Sequence, residues 1–413
     1  MTVPATLCEN LGMRLRGDAH LTTLVRPGLR RNPRRAHLLV STVLGKHLPA
    51  DPAEVRAAAD RLADRVAEVV DGPCVVFGFA ETATGLGHCV AARLGAAVYL
   101  QSTRRPGAVV YGEFTEGHSH ATSHLLQPSS PDLLAAADTL VLVDDEISTG
   151  ATALDSIRAL HALAPHRRYV VASLVDVRPQ AHRAEIGRRA TEAGLEIEFV
   201  ALASGTVELP EGLPARVAEL PATGFNPHGS ARGTVEVLHA PWPQDLPDGG
   251  RHGALAADQP RYAAAADAVA AAAAPHLDDR PVIVIGHEEL MYLPLCVAEA
   301  LVRRGAAVRF QTTTRSPALV RDEPGYPLRR GFEFGAPEDD PDAPLRYLYN
   351  AVWDGADARL VFVADSPADT ERLRAPGGLL DVLTAAGHDV LVLVVPASDQ
   401  AVLAAARAAV AAR

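Results

Sequence analysis

Hydrophobic positions along the chain alternate between two periods. "DPAEVRAAADRLADRVAEVV" (51–70) places apolar residues at helical spacing behind Asp51, a residue suited to an N-cap, and Pro52 at the first helical position. "PCVVFGF" (73–79) is a short apolar run of the kind that forms a buried strand, followed by a glycine-containing loop and a helix over "GHCVAARLG". A strand in "AAVYLQSTR", a strand over Leu140–Val143, a helix through Leu163 and a strand over Tyr169–Val177 continue the alternation. Strands that alternate with helices predict a parallel α/β sheet. Near Phe225 the pattern breaks, and Pro- and Gly-rich text over 226–260 reads as a linker or as an irregular segment laid on the surface. The pattern then resumes with a helix through Ala274, a strand over Pro281–Gly286 and a helix to Arg304. Strands in "AAVRFQTTTR" and "ARLVFVAD", a helix over Leu379–Ala386, a strand in "DVLVLVVP" and a closing helix complete it.

The two periodic stretches resemble each other. "VVFGFAETATGLGHCVAARLGAAVYLQSTRRP" and "VIVIGHEELMYLPLCVAEALVRRGAAVRFQTTTRSP" share strand, Gly-x-x-Glu, helix, "GAAV", strand, Thr-Arg and Pro in the same order, and "TLVLVDDEISTG" aligns with "RLVFVADSPADT". The chain therefore divides into an N-terminal basic segment (1–50), a first α/β unit (51–225), the linker (226–260) and a second copy of the same unit (261–413).

Chemistry concentrates where strand Leu140–Val143 ends. Asp144 and Asp145 are adjacent acids suited to a ribose diol or to ordering a magnesium-bound sugar. Ser148, Thr149, Gly150, Ala151 and Thr152 then open a helix. Backbone N–H groups in such a turn bind phosphate because they lack partners and the helix dipole favours an anion. Gly150 permits close approach or a positive φ. An apolar strand, two acids and a Ser-Thr-Gly-x-Thr loop together resemble the type I phosphoribosyltransferases. The resemblance implies that Asp144 and Asp145 contact the ribose hydroxyls of phosphoribosyl pyrophosphate and that residues 148–152 hold its 5′-phosphate, with Mg²⁺ carried by the substrate and touching Asp144 and Asp145. It assigns Glu81, Thr82, Ala83, Thr84 and Gly85 to a pyrophosphate loop. Arg104 (or Arg105) is placed to neutralise the diphosphate, and "EGHSHATSHLL", with His118 and His120, becomes a closing lid that donates to it. "GFAETATGLGH", "EGHSHATSHLL" and "TTTRSP" narrow the resemblance to bacterial, orotate-phosphoribosyltransferase-like members that carry a C-terminal TRSP domain and are associated with tellurium-resistance stress clusters.

In the second copy Asp365 stands at the place of Asp145, Ala364 replaces Asp144, and Pro367-Ala368-Asp369-Thr370-Glu371 replaces the phosphate loop. Those acids would repel a phosphate. This degenerate unit is expected to bind a different anion at Arg315 and Ser316, to form the interface that shapes the acceptor site, or to be purely structural.

Composition narrows the remaining classes. The net charge of −11 argues against a general nucleic-acid binder. A local basic patch (Arg26, Arg30, Arg31, Arg34, Arg35, Lys46) reads instead as a hood over the active site of its own or a neighbouring subunit. The four cysteines are scattered and suit reduced thiols. No apolar run suits a bilayer and no signal peptide is apparent, so a cytoplasmic protein is expected, with a base-like small-molecule acceptor and a homodimer as its assembly. The competing classes are a regulator that binds phosphoribosyl pyrophosphate without turning it over, and a scaffold.

Overall fold

The computed structural model describes residues 6–107, 109–115, 123–221, 224–338 and 343–411. After a short helical turn at Leu7–Asn10, the chain forms β1 (Arg14–Gly17) and a hairpin of β2 (Val25–Leu29) and β3 (His37–Ser41). It continues through α1 (Pro52–Ala67), β4 (Cys74–Gly78), α2 (Thr84–Leu94) and β5 (Val98–Gln101), then a hairpin of β6 (Gly112–Thr115) and β7 (Ser123–Leu126). β8 (Thr139–Ile147), α3 (Ala151–Leu163), β9 (Arg168–Asp176), α4 (Gln180–Glu192) and β10 (Ile197–Glu208) complete the first unit. The connecting region supplies β11 (Val235–His239) and β12 (Ala254–Leu255). The second unit runs α5 (Gln259–Ala273), β13 (Val282–Gly286), α6 (Tyr292–Arg303) and β14 (Val308–Thr312), then a hairpin of β15 (Gly331–Phe334) and β16 (Arg346–Tyr349). It ends with β17 (Arg359–Asp365), α7 (Leu379–Ala385), β18 (Val390–Val395) and α8 (Gln400–Ala411).

The first sheet has the order β1-β10-β9-β8-β4-β5-β12, parallel except for its two edge strands. The second, β11-β18-β17-β13-β14, is parallel throughout. The internal order β9-β8-β4-β5 repeats as β18-β17-β13-β14, and register repeats with it: Gly78 pairs with Val143 as Gly286 pairs with Val363. Each unit inserts one antiparallel hairpin after its second inner strand, tied to that strand by a bridge at Thr103–Leu125 or Thr314–Tyr347. The second unit is thus the same α/β design as the first.

Alternation along the strands explains the layering, because successive side chains point to opposite faces. Val76 and Val141 in the first sheet, and Val284 and Val361 in the second, enter one core shared by both units with α1, α2, α5 and α6. Their neighbours Val75, Phe77, Leu140 and Leu142 build a separate core on the outer face of the first sheet. Ile283, Ile285, Leu360 and Phe362 do the same for the second. Helices α2 and α6 meet at the centre. A Cβ built on Gly85 would lie 2.8 Å from Cβ of Met291, so only glycine allows this approach.

The 226–260 segment corrects the linker reading. β11 forms an edge of the second sheet, β12 an edge of the first, and Trp242 and Leu246 are buried. Its prolines and glycines punctuate an embedded path. Residues 6–50 are likewise integrated, since β1 joins the first sheet and Ala50 exchanges backbone hydrogen bonds of 2.9 and 2.8 Å with Phe310 of β14. All four cysteines are free and buried, and burial pushes the thiols of Cys8 and Cys89 up to about 12. Among the described residues no helix is long and apolar enough to cross a membrane.

Candidate active site

A cavity of about 370 Å³ opens at the C-terminal ends of β4 and β8, the edge at which parallel sheets collect ligands. Its floor is the opening of α3. Gly150 holds φ +83°, which an L side chain rarely adopts, and a Cβ there would lie 3.2 Å from Cδ of Arg178. Ala151 N–H donates to Thr149 Oγ1 at 3.2 Å. Ser148, Thr149, Gly150, Thr152 and Ala153 line the cavity, while Ala151 serves as the first helical residue behind them. Asp144 and Asp145 sit half-buried on the same wall, with Asp145 N–H donating to Asp144 Oδ1 at 2.9 Å.

The loop after β4 divides in two. Ala80, Glu81 and Thr82 reach the cavity. Ala83, Thr84 and Gly85, expected in the pyrophosphate loop, are instead buried at the start of α2, and Thr84 Oγ1 donates to the carbonyls of Glu81 (3.1 Å) and Glu289 (2.9 Å). Thr84 and Gly85 meet the second unit here, while Ala83 packs into the core on the outer face of the first sheet. The Glu81 carboxylate is also engaged, by Thr314 Oγ1 and by the Arg315 N–H at 3.0 Å. The physical reason is that β14 of the second unit ends directly against this loop.

Arg104 lines the cavity, with its N–H on Glu289 Oε1 at 2.6 Å and its Nη2 3.5 Å from the Ala80 carbonyl. Arg105 turns away and ion-pairs with buried Asp365. The tertiary fold thus separates two arginines that are adjacent in sequence. Arg315 and Ser316, from the second unit, line this same cavity. His118 and His120 lie outside the described residues. His124 is buried, stacked on Phe114 and within 2.8 Å of Ser102 Oγ.

The N-terminal basic segment supplies Arg30, Arg35, Leu38, Leu39, Lys46 and His47 to the cavity wall, whereas Arg26, Arg31 and Arg34 are exposed. Arg35 pairs with Glu146, and Lys46 Nζ donates to Thr82 Oγ1 at 2.7 Å. Burial, and then the charge of Arg35, lowers the Arg30 guanidinium to about 10; burial with Arg35 and Arg30 lowers His37 to about 4. Arg30, Arg35 and Lys46 thus bring three cations to a wall that also carries Asp144, Asp145 and Glu146.

Two supports had no assigned role in the sequence. Glu146 anchors the hood, and the acid run "DDE" was its only signal. Arg178 backs Gly150; it forms a bidentate pair with Asp176 (3.0 and 2.8 Å), and its guanidinium lies 3.5 Å from the Phe199 ring centroid. The Asp-x-Arg-Pro end of β9 carries that signal.

Comparison with known proteins finds two family matches in the chain. Residues 24–206 match the family described as phosphoribosyl transferase, and residues 248–383 match the TRSP domain that lies C-terminal to it. Adenine phosphoribosyltransferase from Rhodothermus marinus is 20% identical over 44% of this chain and 96% of its own, with a TM-score of 0.32. The enzyme from Giardia lamblia, solved with 9-deazaadenine, is 19% identical over 43% and 94%, with a TM-score of 0.33. Orotate phosphoribosyltransferase from Aeropyrum pernix is 20% identical over 41% and 80%, with a TM-score of 0.26. No functionally curated protein matches the chain. The chain thus carries a phosphoribosyl transferase domain over 24–206 followed by a TRSP domain over 248–383.

Proposed function

We propose that the cavity binds phosphoribosyl pyrophosphate with Mg²⁺ and transfers the phosphoribosyl group to a base-like acceptor. The observation that carries this reading is the convergence of Asp144 and Asp145, the 148–152 turn, Arg104 and Arg315 on one cavity. In this reading the α3 turn holds the 5′-phosphate, the two aspartates hold the ribose hydroxyls, and Lys46, Arg104 and Arg315 face the diphosphate. Mg²⁺ binds through one or two carboxylates together with substrate phosphates, and the half-buried carboxylates of Asp144 and Asp145 fit that donor set. When bound, the ion supplies charge neutralisation at the diphosphate.

The reaction breaks the bond from C1′ to the diphosphate oxygen and forms one from C1′ to an acceptor nitrogen. Pyrophosphate leaves with the electron pair, and the acceptor proton passes to pyrophosphate or water. Positive charge develops on the sugar ring, so the protein's part is positioning, charge neutralisation at the leaving group and exclusion of water. Leu38, Leu39 and Phe79 give the cavity an apolar flank for a flat acceptor. The α2 face is covered by α6 of the same chain, so a homodimer would use another surface. A cytoplasmic role in a stress-linked biosynthetic cluster follows from the resemblance to TRSP-bearing proteins.

Pyrophosphate release with a panel of bases tests the transferase reading. Release with at least one base is expected. Ligand binding without release from any base would favour the regulator or scaffold instead. Asp144→Asn combined with Asp145→Asn should abolish binding of phosphoribosyl pyrophosphate in calorimetry, and retained affinity would refute the assigned diol contacts.

A further inference from the structure

The two units grip each other reciprocally. The third residue after the β4 glycine, Glu81, accepts from Thr314 and Arg315 of the second unit. The third residue after the β13 glycine, Glu289, accepts from Thr103 Oγ1 and the Arg104 N–H of the first, both at 2.6 Å. The second residue after each glycine breaks this symmetry. In the first unit it is Ala80, beside an open cavity. In the second it is Glu288, fully buried, at φ +48°.

Glu288 fills its own unit's cleft with a carboxylate. Oε2 accepts from Arg315 Nε at 2.6 Å, and Oε1 accepts from Arg346 Nε. Arg346 also reaches Glu338 at 3.4 Å, and Glu338 lies 3.2 Å from His287 Nε2. His287, Glu288 and Glu338 stand close enough to hold a metal ion, but two guanidinium groups already neutralise the carboxylates and would repel a cation. On the other side of this cleft the Arg105–Asp365 pair leaves a cavity of only about 20 Å³. The second unit's site is therefore closed by charged side chains, one of them, Arg105, contributed by the first unit.

The closure has a consequence across the interface. Arg315 is held at Nε by Glu288, and among the described residues no hydrogen bond occupies its Nη1 or Nη2, while the residue lines the first unit's cavity. We propose that the TRSP unit acts on that cavity as a built-in neighbouring subunit: Arg315 is a diphosphate-binding residue, and Glu288 is the positioning residue that holds it. This rests on the phosphoribosyl pyrophosphate reading above. Fixing a flexible arginine before the ligand arrives removes part of the ordering entropy that binding would otherwise cost.

Calorimetry of the full chain with inorganic pyrophosphate and, separately, with ribose 5-phosphate tests it. Arg315→Ala should weaken pyrophosphate roughly 10- to 100-fold, as loss of a charged hydrogen bond does, and leave ribose 5-phosphate within about twofold. Glu288→Gln should weaken pyrophosphate roughly 3- to 10-fold and add nothing in the Arg315→Ala background. Equal loss for both ligands, loss for neither, or a Glu288→Gln effect that persists in full without Arg315 would overturn the proposal. If Glu288→Gln does not fold, Glu288→Gln with Arg346→Gln removes both buried charges together and enters the same cycle. A wild-type chain that binds neither probe would refute the underlying transferase reading rather than the interdomain arrangement alone.

Discussion

The two units place the same strands in the same order and treat the strand ends in opposite ways. After β8, Gly150 at φ +83° turns the chain into a 13-residue helix whose first turn faces a cavity. After β17, a short turn at Ser366–Ala368 leads to Asp369, which pairs with Arg374 at 2.5 Å. Behind β4 the small Ala80 leaves space, and behind β13 Glu288 takes it. The difference shows that a parallel α/β frame tolerates loss of its site when buried charges there acquire partners within the chain. An unpaired buried charge would be costly, whereas a paired one is tolerated.

The sharpest way to break the comparison is to unpair the closed site. Arg105→Met removes the ion-pair partner of buried Asp365 and should cost about 3–5 kcal/mol in urea unfolding, while the Arg105→Met, Asp365→Leu double variant should recover most of it. The pair also has a pH signature. Burial alone would raise the Asp365 carboxyl, but Arg105, with Arg251 and His287, holds it below the ordinary carboxylate range. A carboxyl with a lowered folded-state value stabilises the fold above its unfolded value, near pH 4, and loses that contribution as pH falls toward the folded value. Wild type should therefore lose more stability on acidification than the double variant, and parallel acid titrations would show the opposite if the pair were inert.

Between the units, Gly85→Leu forces side-chain atoms against Met291. A destabilisation of about 1–3 kcal/mol is expected as a lower melting temperature, and no change would mean the interface is looser than the contact implies. On the open site alone, Lys46→Ala removes a cation from the loop at Thr82 and should weaken pyrophosphate roughly threefold to tenfold, more at low salt than at high. Smallest, and of opposite sign, is Gly187→Ala on the exposed face of α4. No atom lies within 4 Å of the added Cβ, so a gain of about 0.5–1 kcal/mol is expected without change in ligand affinity.

Much of this frame is legible in the residues. The apolar runs at Cys74–Gly78 and Val282–Gly286, the helix behind Asp51 and Pro52, and the duplication each follow from local periodicity. So does the turn at Ser148–Thr152, because it is contiguous in sequence and its glycine requirement is local. Sequence leaves the 226–260 segment open between a linker and an irregular surface path, because Pro and Gly mark both, and only strand pairing distinguishes them. Thr84 and Gly85 carry a loop-like composition, yet they pack at a helix interface that no neighbour in sequence reveals.

The sequence by itself determined the duplicated α/β design, the acids and turn that end β8, and the loss of that turn in the second unit, since each depends on neighbouring residues along the chain. Tertiary structure alone decided that Arg104 faces the cavity while Arg105 closes the other cleft. It also decided that Glu81 belongs to the interface, and that Arg30, Arg35 and Lys46 from the N-terminus meet Arg315 from the far unit on one wall. Those outcomes depend on long-range packing of α2 against α6, where the spacing between charges is set by contacts hundreds of residues apart in the chain.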